Sequence, residues 1–167
     1  MRGPAASFTL LAERRRPEIL AYLVRMLGNR DDAEDACQET FLRAHAAFGR
    51  LDPGANTRAW LYRIATNTGL NLARGRARRT SRLVASDPDT FAGAVGTGAE
   101  ERADLRAVAR AVTTLPPRQR AALMLRCFQG LDYAEIAASV GGTTEAARAN
   151  VYQAMRKLRA AVGRELP

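Results

Sequence analysis

Apolar residues recur along this chain at intervals of three and four, and alternating β-branched runs are missing. That period is helical, so the pattern predicts an all-α protein. A helical pattern begins near Ser7, and Pro17 breaks it, kinks it or starts a new helix. From Glu18 to Met26, Ile19, Leu20 and Leu23 fall near one side, followed by Leu27, and Gly28-Asn29 ends the segment. A second helix is expected from about Asp31 to Phe48, with Asp31 and Asp32 as caps and with Cys37, Phe41, Ala44 and Phe48 inward. Gly49 to Thr57 reads as a loop around Asp52-Pro53-Gly54. A third helix follows from Thr57 to Ala73. Leu61, Ala65, Thr68 and Leu72 form its inner stripe, and Arg63, Asn67, Asn71 and Arg74 form a second, polar stripe.

The pattern then lapses. Residues 85–98 contain Asp87-Pro88-Asp89 and three glycines, which reads as a flexible linker. Helix resumes from Glu100 to about Thr114 and, after Leu115-Pro116-Pro117, from Arg118 to Gln129, with Ala121, Leu125 and Phe128 inward. Gly130 ends it. Asp132 and Glu135 are spaced as a capping box, and Ile136, Ala137 and Val140 face inward. Gly141-Gly142 makes a turn, and Thr143 caps the last helix. There Ala147, Val151, Ala154, Leu158 and Val162 form the buried stripe. Glu145, Arg148, Tyr152, Arg156 and Arg159 form the exposed one. Two short helices around a glycine turn outline a helix-turn-helix, which seats a helix in the DNA major groove.

Charge sharpens this picture. The chain has 167 residues, with 26 basic against 17 acidic and a formal net charge of +9. Such a balance favours a polyanionic partner, nucleic acid before anionic membrane. Lys157 is the single lysine. Seven arginines and no acid lie between Arg58 and Arg82. The cationic surface is thus concentrated on the third helix and on the last.

The candidate chemistry is recognition. Arginine suits guanine edges and phosphates, glutamine suits adenine, and tyrosine can stack or bond a phosphate. Arg148, Tyr152, Gln153 and Arg156 supply that set on the last helix. Asn67 and Asn71 beside arginines suit base hydrogen bonding, although an ordinary solvated face fits the same pattern. Trp60 fits a core position better than a base-stacking platform. Asp35, Gln38, Glu39 and Phe41 suit either a protein-binding surface or a solvated helix start.

Catalysis finds little footing. His45, the only histidine, has no evident partner set, and no phosphate-cradling glycine loop is present. Cys37 and Cys127 lack metal-ligand spacing and read as buried, reduced thiols in a cytoplasmic protein. No catalytic residue, metal or cofactor is expected. No apolar run approaches a membrane span, so membrane insertion is not expected, nor is a signal peptide.

Taken in order, these stretches resemble the extracytoplasmic-function sigma factors of bacterial RNA polymerase. Asp32-Ala33-Glu34-Asp35-Ala36-Cys37-Gln38-Glu39-Thr40-Phe41-Leu42-Arg43-Ala44 is similar to the family's polymerase-binding helix. Thr57-Arg58-Ala59-Trp60-Leu61-Tyr62-Arg63-Ile64-Ala65-Thr66-Asn67 is similar to its −10-reading helix. Leu115-Pro116-Pro117-Arg118-Gln119-Arg120 and the stretch from Gly130 to Arg148 are similar to its −35-reading domain.

The resemblance implies two small helical domains, a sigma region 2 domain over 1–82 and a sigma region 4 domain over 104–167, joined by a linker over 83–103. It implies core RNA polymerase (clamp helices and flap) and promoter DNA as partners, with an anti-sigma factor common in the group. Asp35, Gln38, Glu39 and Leu42 would bind polymerase. Leu51, Asn56, Arg63, Asn67, Asn71 and Arg74 would meet the −10 strand, with a flipped base in a pocket beside Asn67. Arg148, Ala149, Tyr152, Gln153 and Arg156 would meet the −35 duplex. The linker's Asp87 and Asp89 would mimic nucleic acid inside the polymerase. Asn71 stands where many members carry Asp. Ala149-Asn150 stands where Ser-Arg is frequent, and Gly142 where an apolar residue is usual. The alternative reading is a stand-alone helix-turn-helix regulator, which would bind its operator tightly unaided. A helical adaptor without nucleic acid is a third class.

Overall fold

The computed structural model describes residues 4–79 and 99–165. They form seven helices, and among the described residues there is no strand: α1 (Pro4–Leu27), α2 (Arg30–Phe48), α3 (Thr57–Arg79), α4 (Ala99–Thr113), α5 (Pro117–Cys127), α6 (Tyr133–Val140) and α7 (Thr144–Glu165). Most of the expected linker, with Asp87 and Asp89, lies outside the described residues, as does Arg82.

Helices α1, α2 and α3 pack on one another. Ile19, Tyr22, Leu23 and Met26 of α1 meet Ala36, Cys37 and Phe41 of α2 and Leu61, Tyr62 and Ala65 of α3 in a closed apolar centre. Two buried phenols bind α1 to α3. Thr66 Oγ1 donates to the Tyr62 carbonyl at 2.7 Å. Its one proton is thereby used, so Tyr22, 2.7 Å away, is the donor to Thr66. The Tyr22 and Tyr62 rings meet edge to face with centroids 5.2 Å apart. Burial drives both phenols above their ordinary pKa, so both stay protonated.

Helix α1 runs unbroken through Pro17. The proline is exposed, so the carbonyl that loses its partner there can turn to water. Asn29, rather than Asp31 or Asp32, caps α2: its side chain accepts from the Asp32 N–H at 3.0 Å. An asparagine in extended backbone satisfies a free N–H directly, and the two aspartates fall into the first turn, where they favour the helix dipole. Helix α3 continues past Ala73 to Arg79, which carries Arg74, Arg76, Arg78 and Arg79 along its last turns. Arg76 is paired with Asp32 of α2.

Helices α4 to α7 form the second group. Helices α4, α5 and α6 all pack on α7, through Val112, Ala121, Leu125, Ile136, Val140, Ala147, Val151 and Ala154. The group's sequence-encoded stops are all present. Asp132 accepts from the Glu135 N–H at 2.8 Å and Glu135 returns the bond to the Asp132 N–H at 3.0 Å. Gly141 and Gly142 adopt φ of 84° and 104°. Thr143 Oγ1 caps α7 through the Ala146 N–H at 3.2 Å.

Two residues expected inside lie outside. Phe128 is 58% exposed, because α5 ends at Cys127 and the chain turns away before the helical stripe reaches it. The Arg25 guanidinium covers its ring at 5.1 Å. Cys127 is also exposed, while Cys37 is buried.

The two groups touch. Helices α1 and α3 pack on α5, and α3 packs on α6. Arg120, only 7% exposed, donates across this junction to the Met26 carbonyl at 3.1 Å and to the Thr113 and Leu115 carbonyls within its own group. Three helix-end and loop carbonyls thus offset part of the cost of burying the guanidinium, whose Nε is buried without a partner.

Candidate nucleic-acid interface

On α3, spacings of four, four and three place Arg63, Asn67, Asn71 and Arg74 along one side. All four are exposed. The opposite side is fixed by the Tyr22, Thr66 and Tyr62 bonds, so the polar stripe is held outward by the core behind it. Trp60 is half-buried against that core, its ring 6.3 Å from Phe48; this is the core role rather than a stacking platform.

The loop before α3 is shaped by its own polar groups. Asp52 accepts from the Gly54 N–H at 2.9 Å through its side chain and from the Ala55 N–H at 2.9 Å through its carbonyl. Leu51 is half-buried beside it. Asn56 caps α3 by accepting from the Ala59 N–H at 3.1 Å. Its amide nitrogen donates to Glu135 of α6 at 2.9 Å. The expected pocket loop therefore leans on the helix-turn-helix.

Arg58 makes the second such link. Its Nη1 donates to the Gln129 carbonyl at 2.9 Å and its Nη2 to Gln129 Oε1 at 2.8 Å. Its Nε donates to Glu18 at 3.2 Å. Glu18 also accepts from Arg15 at 2.8 Å and from the Tyr62 hydroxyl at 2.7 Å. Partial burial pushes the Glu18 carboxyl up, but the three donors outweigh it and hold it below the usual carboxylate range.

On α7, Arg148, Ala149, Tyr152, Gln153 and Arg156 are all exposed. Arg148 is stacked over the ring of Tyr133 at 5.2 Å, and Arg126 lies over the same ring at 4.9 Å. Gln153 accepts from Gln119 of α5 at 3.0 Å. Sequence periodicity along α7 does not point to Tyr133 or Gln119, because both sit on preceding helices and approach α7 only in the fold. Glu145, in the first turn, is held below the usual carboxylate range by hydrogen bonds from its own backbone N–H and from Thr143.

The face of α2 is different in kind. Asp35, Gln38 and Leu42 are exposed, and Glu39 is half-exposed and paired with Arg43 at 2.6 Å. Leu42 is 61% exposed. It stands as an exposed apolar side chain on the same helix as the acids Asp35 and Glu39 and the amide Gln38. Among the described residues, no group of three or more His, Cys, Asp or Glu side chains could hold a metal ion, and no helix is long and apolar enough to cross a membrane.

Comparison with known proteins agrees with this geometry. The family description "Sigma-70 region 2" matches residues 11–79 and "Sigma-70, region 4" matches residues 105–158. The chain is 34% identical over 163 residues to the RNA polymerase sigma-H factor of Pseudomonas aeruginosa, covering 92% of this chain and 84% of that protein. It is 36% identical over 148 residues to the ECF RNA polymerase sigma factor SigE of Mycolicibacterium smegmatis, covering 84% of this chain and 54% of that protein. Among solved structures it resembles the sigma factor RpoE, in complex with the anti-sigma factor NepR, from Bartonella quintana, with a TM-score of 0.75, 23% identity and coverage of 96% of this chain and 99% of that one. It also resembles CnrH, in complex with the cytosolic domain of CnrY, with a TM-score of 0.68, 26% identity and coverage of 97% and 91%. The chain belongs to the RNA polymerase sigma factors of the extracytoplasmic-function group.

Proposed function

We propose that this chain docks on core RNA polymerase through the exposed face of α2, brings it to promoters through α7, and helps open the −10 region through α3. Asp35, Gln38, Glu39 and Leu42 form the polymerase-facing set on the clamp helices, with the second domain reaching the flap. Domain boundaries near residue 82 and near residues 103–104 accord with the two matched segments.

On the −35 duplex, Arg148, Ala149, Tyr152 and Gln153 meet base edges and Arg156 takes a phosphate. On the −10 strand, Asn67 and the loop carrying Leu51 and Asn56 receive a flipped base, while Arg63, Asn71 and Arg74 hold its neighbours and their phosphates. Unstacking a base costs a few kcal/mol. Binding of the exposed strand to this cationic helix offsets that cost without ATP. The chain is not itself an enzyme, and it works in the cytoplasm. An anti-sigma factor, as in the complex of RpoE with NepR, completes the proposed set of partners.

The observation that carries the reading is the presence, in one chain, of two exposed cationic helix faces in the two separately matched segments, each held outward by a buried core. Transcription from a promoter library tests it, run with core enzyme in the presence and absence of the chain. New, sequence-specific start sites are expected only when the chain is added. Identical start sites in both reactions would falsify the reading.

A further inference from the structure

Three polar side chains, two on α7 and one on α5, form a directional chain. Lys157 Nζ lies 3.0 Å from Gln119 Oε1, and Gln119 Nε2 lies 3.0 Å from Gln153 Oε1. Lys157 and Gln153 are one turn apart on α7. Gln119 stands half-buried in the first turn of α5.

Lys157 dictates the direction. An ammonium carries three donors and no acceptor, so the Gln119 atom that meets it is the carbonyl oxygen. The other end of that amide is an NH2 group, which can only donate. The Gln153 atom that meets it is therefore also a carbonyl oxygen. Gln153 is left with its own NH2 group turned away from Gln119, with no hydrogen-bond partner among the described residues. A glutamine free to rotate prefers adenine, giving a donor to N7 and an acceptor to N6 at once. A glutamine whose oxygen is already engaged presents donors first.

We infer that Lys157 and Gln119 set the base preference of α7 by holding Gln153 as a donor, so that it selects guanine, with its two major-groove acceptors N7 and O6, over adenine. This rests on the reading of α7 as the −35-facing helix and adds to it the base that one position takes. Gln119 and Lys157 are positioning residues; neither needs to touch a base.

The amide chain can be reversed by one substitution. Gln119→Glu places a carboxylate between Lys157 and Gln153. The carboxylate still accepts from Lys157 but cannot donate to Gln153, so it draws the Gln153 NH2 group inward and turns the Gln153 oxygen outward. The outward acceptor then suits the exocyclic amines of cytosine and adenine.

The experiment uses holoenzyme assembled from core RNA polymerase and the full chain, with a promoter library randomised through the −35 element and sequencing of the bound fraction. Gln153→Ala locates the base pair read by this side chain. At that pair the wild-type chain is expected to favour guanine over adenine by about tenfold. Gln119→Glu is expected to move the preference to adenine or cytosine, and Lys157→Met to narrow the gap between guanine and adenine by freeing the amide. A merely structural role for Gln119 would weaken all sequences alike and leave the ranking of bases intact; an unchanged ranking in Gln119→Glu overturns the inference. So does a Gln153→Ala profile with no altered position. If wild-type holoenzyme lacks any −35 preference as well, the assignment of α7 fails too, and the two failures are told apart by that control.

Discussion

Asn67 and Arg148 illustrate how one side chain takes meaning from the one behind it. Asn67 is exposed because its neighbour Thr66 is committed to Tyr22 and Tyr62 in the core. Asn67→Ala is expected to reduce open-complex formation while leaving affinity for core polymerase unchanged, measured by single-strand-specific footprinting and by a core-binding titration. Arg148 lies against Tyr133, so its guanidinium is partly ordered before DNA arrives. Arg148→Ala should reduce discrimination between matched and mutated −35 duplexes in holoenzyme by ~1–3 kcal/mol if the contact is bidentate. A uniform loss on every duplex points instead to phosphate contact.

Glu18 supplies a pH prediction at the same scale. Its folded carboxyl lies below its ordinary value of 4.5, so it contributes stability above that pH and loses it as acid protonates the folded form. Thermal unfolding followed downward from about pH 6 should fall more steeply for the wild-type chain than for Glu18→Gln. Equal slopes would show that another carboxylate dominates the acid limb. At this scale the sequence was readable where a residue's role is set by helical period, as for Ala147, Val151 and Ala154. It was less readable where a role depends on where the helix stops. Phe128 continues an apolar stripe on paper, but α5 has ended by then, and Cys127 is the exposed last residue of that helix. Asn29 competes with two aspartates for the α2 cap and wins because its position precedes the first turn.

At the scale of the element, the helix-turn-helix is the most fully encoded part of the chain. Its capping box, glycine turn and threonine cap are local devices, each decided by neighbours within four residues, so each is visible without the fold. Gly141 pairs φ of 84° with ψ of 150°, a region nearly closed to residues with a Cβ. Gly141→Ala should destabilise the chain by about 1–3 kcal/mol, read as a lower midpoint in chemical denaturation. An unchanged midpoint would mean the turn has freedom that this backbone does not suggest. Helix α1 is the opposite case. Pro17 reads as a break, a kink or a new start, yet one helix runs through it, because packing of Ile19, Tyr22, Leu23 and Met26 on one side overrides a local penalty borne on the exposed side.

At the scale of the molecule, two helical groups were legible from the lapse of pattern between them. Their contact was not. It depends on Arg58 meeting Gln129, Asn56 meeting Glu135 and Arg120 meeting the Met26 carbonyl, pairs separated by 71, 79 and 94 residues, which no local spacing reveals. Its polar links come from Arg58, Asn56 and Arg120, beside the Arg25–Phe128 contact and the packing of α1 and α3 on α5 and of α3 on α6. Replacing Phe128 and Gln129 together by Ala removes the ring under Arg25 and one acceptor of Arg58, worth about 1–2 kcal/mol. The expected outcome is a larger radius of gyration by small-angle X-ray scattering, with far-ultraviolet circular dichroism unchanged. A radius that does not move would place the strength of the junction in its apolar contacts.

The relay on α7 has one more consequence, and it is practical. Because Lys157 is the chain's sole lysine, an acylating reagent meets only one side-chain amine, and that amine lies one turn from Gln153 on the helix proposed to face duplex DNA. Protection of this nitrogen, quantified by mass spectrometry as polymerase and then promoter are added, would report occupancy of the recognition helix from the unaltered polypeptide, with no engineered label.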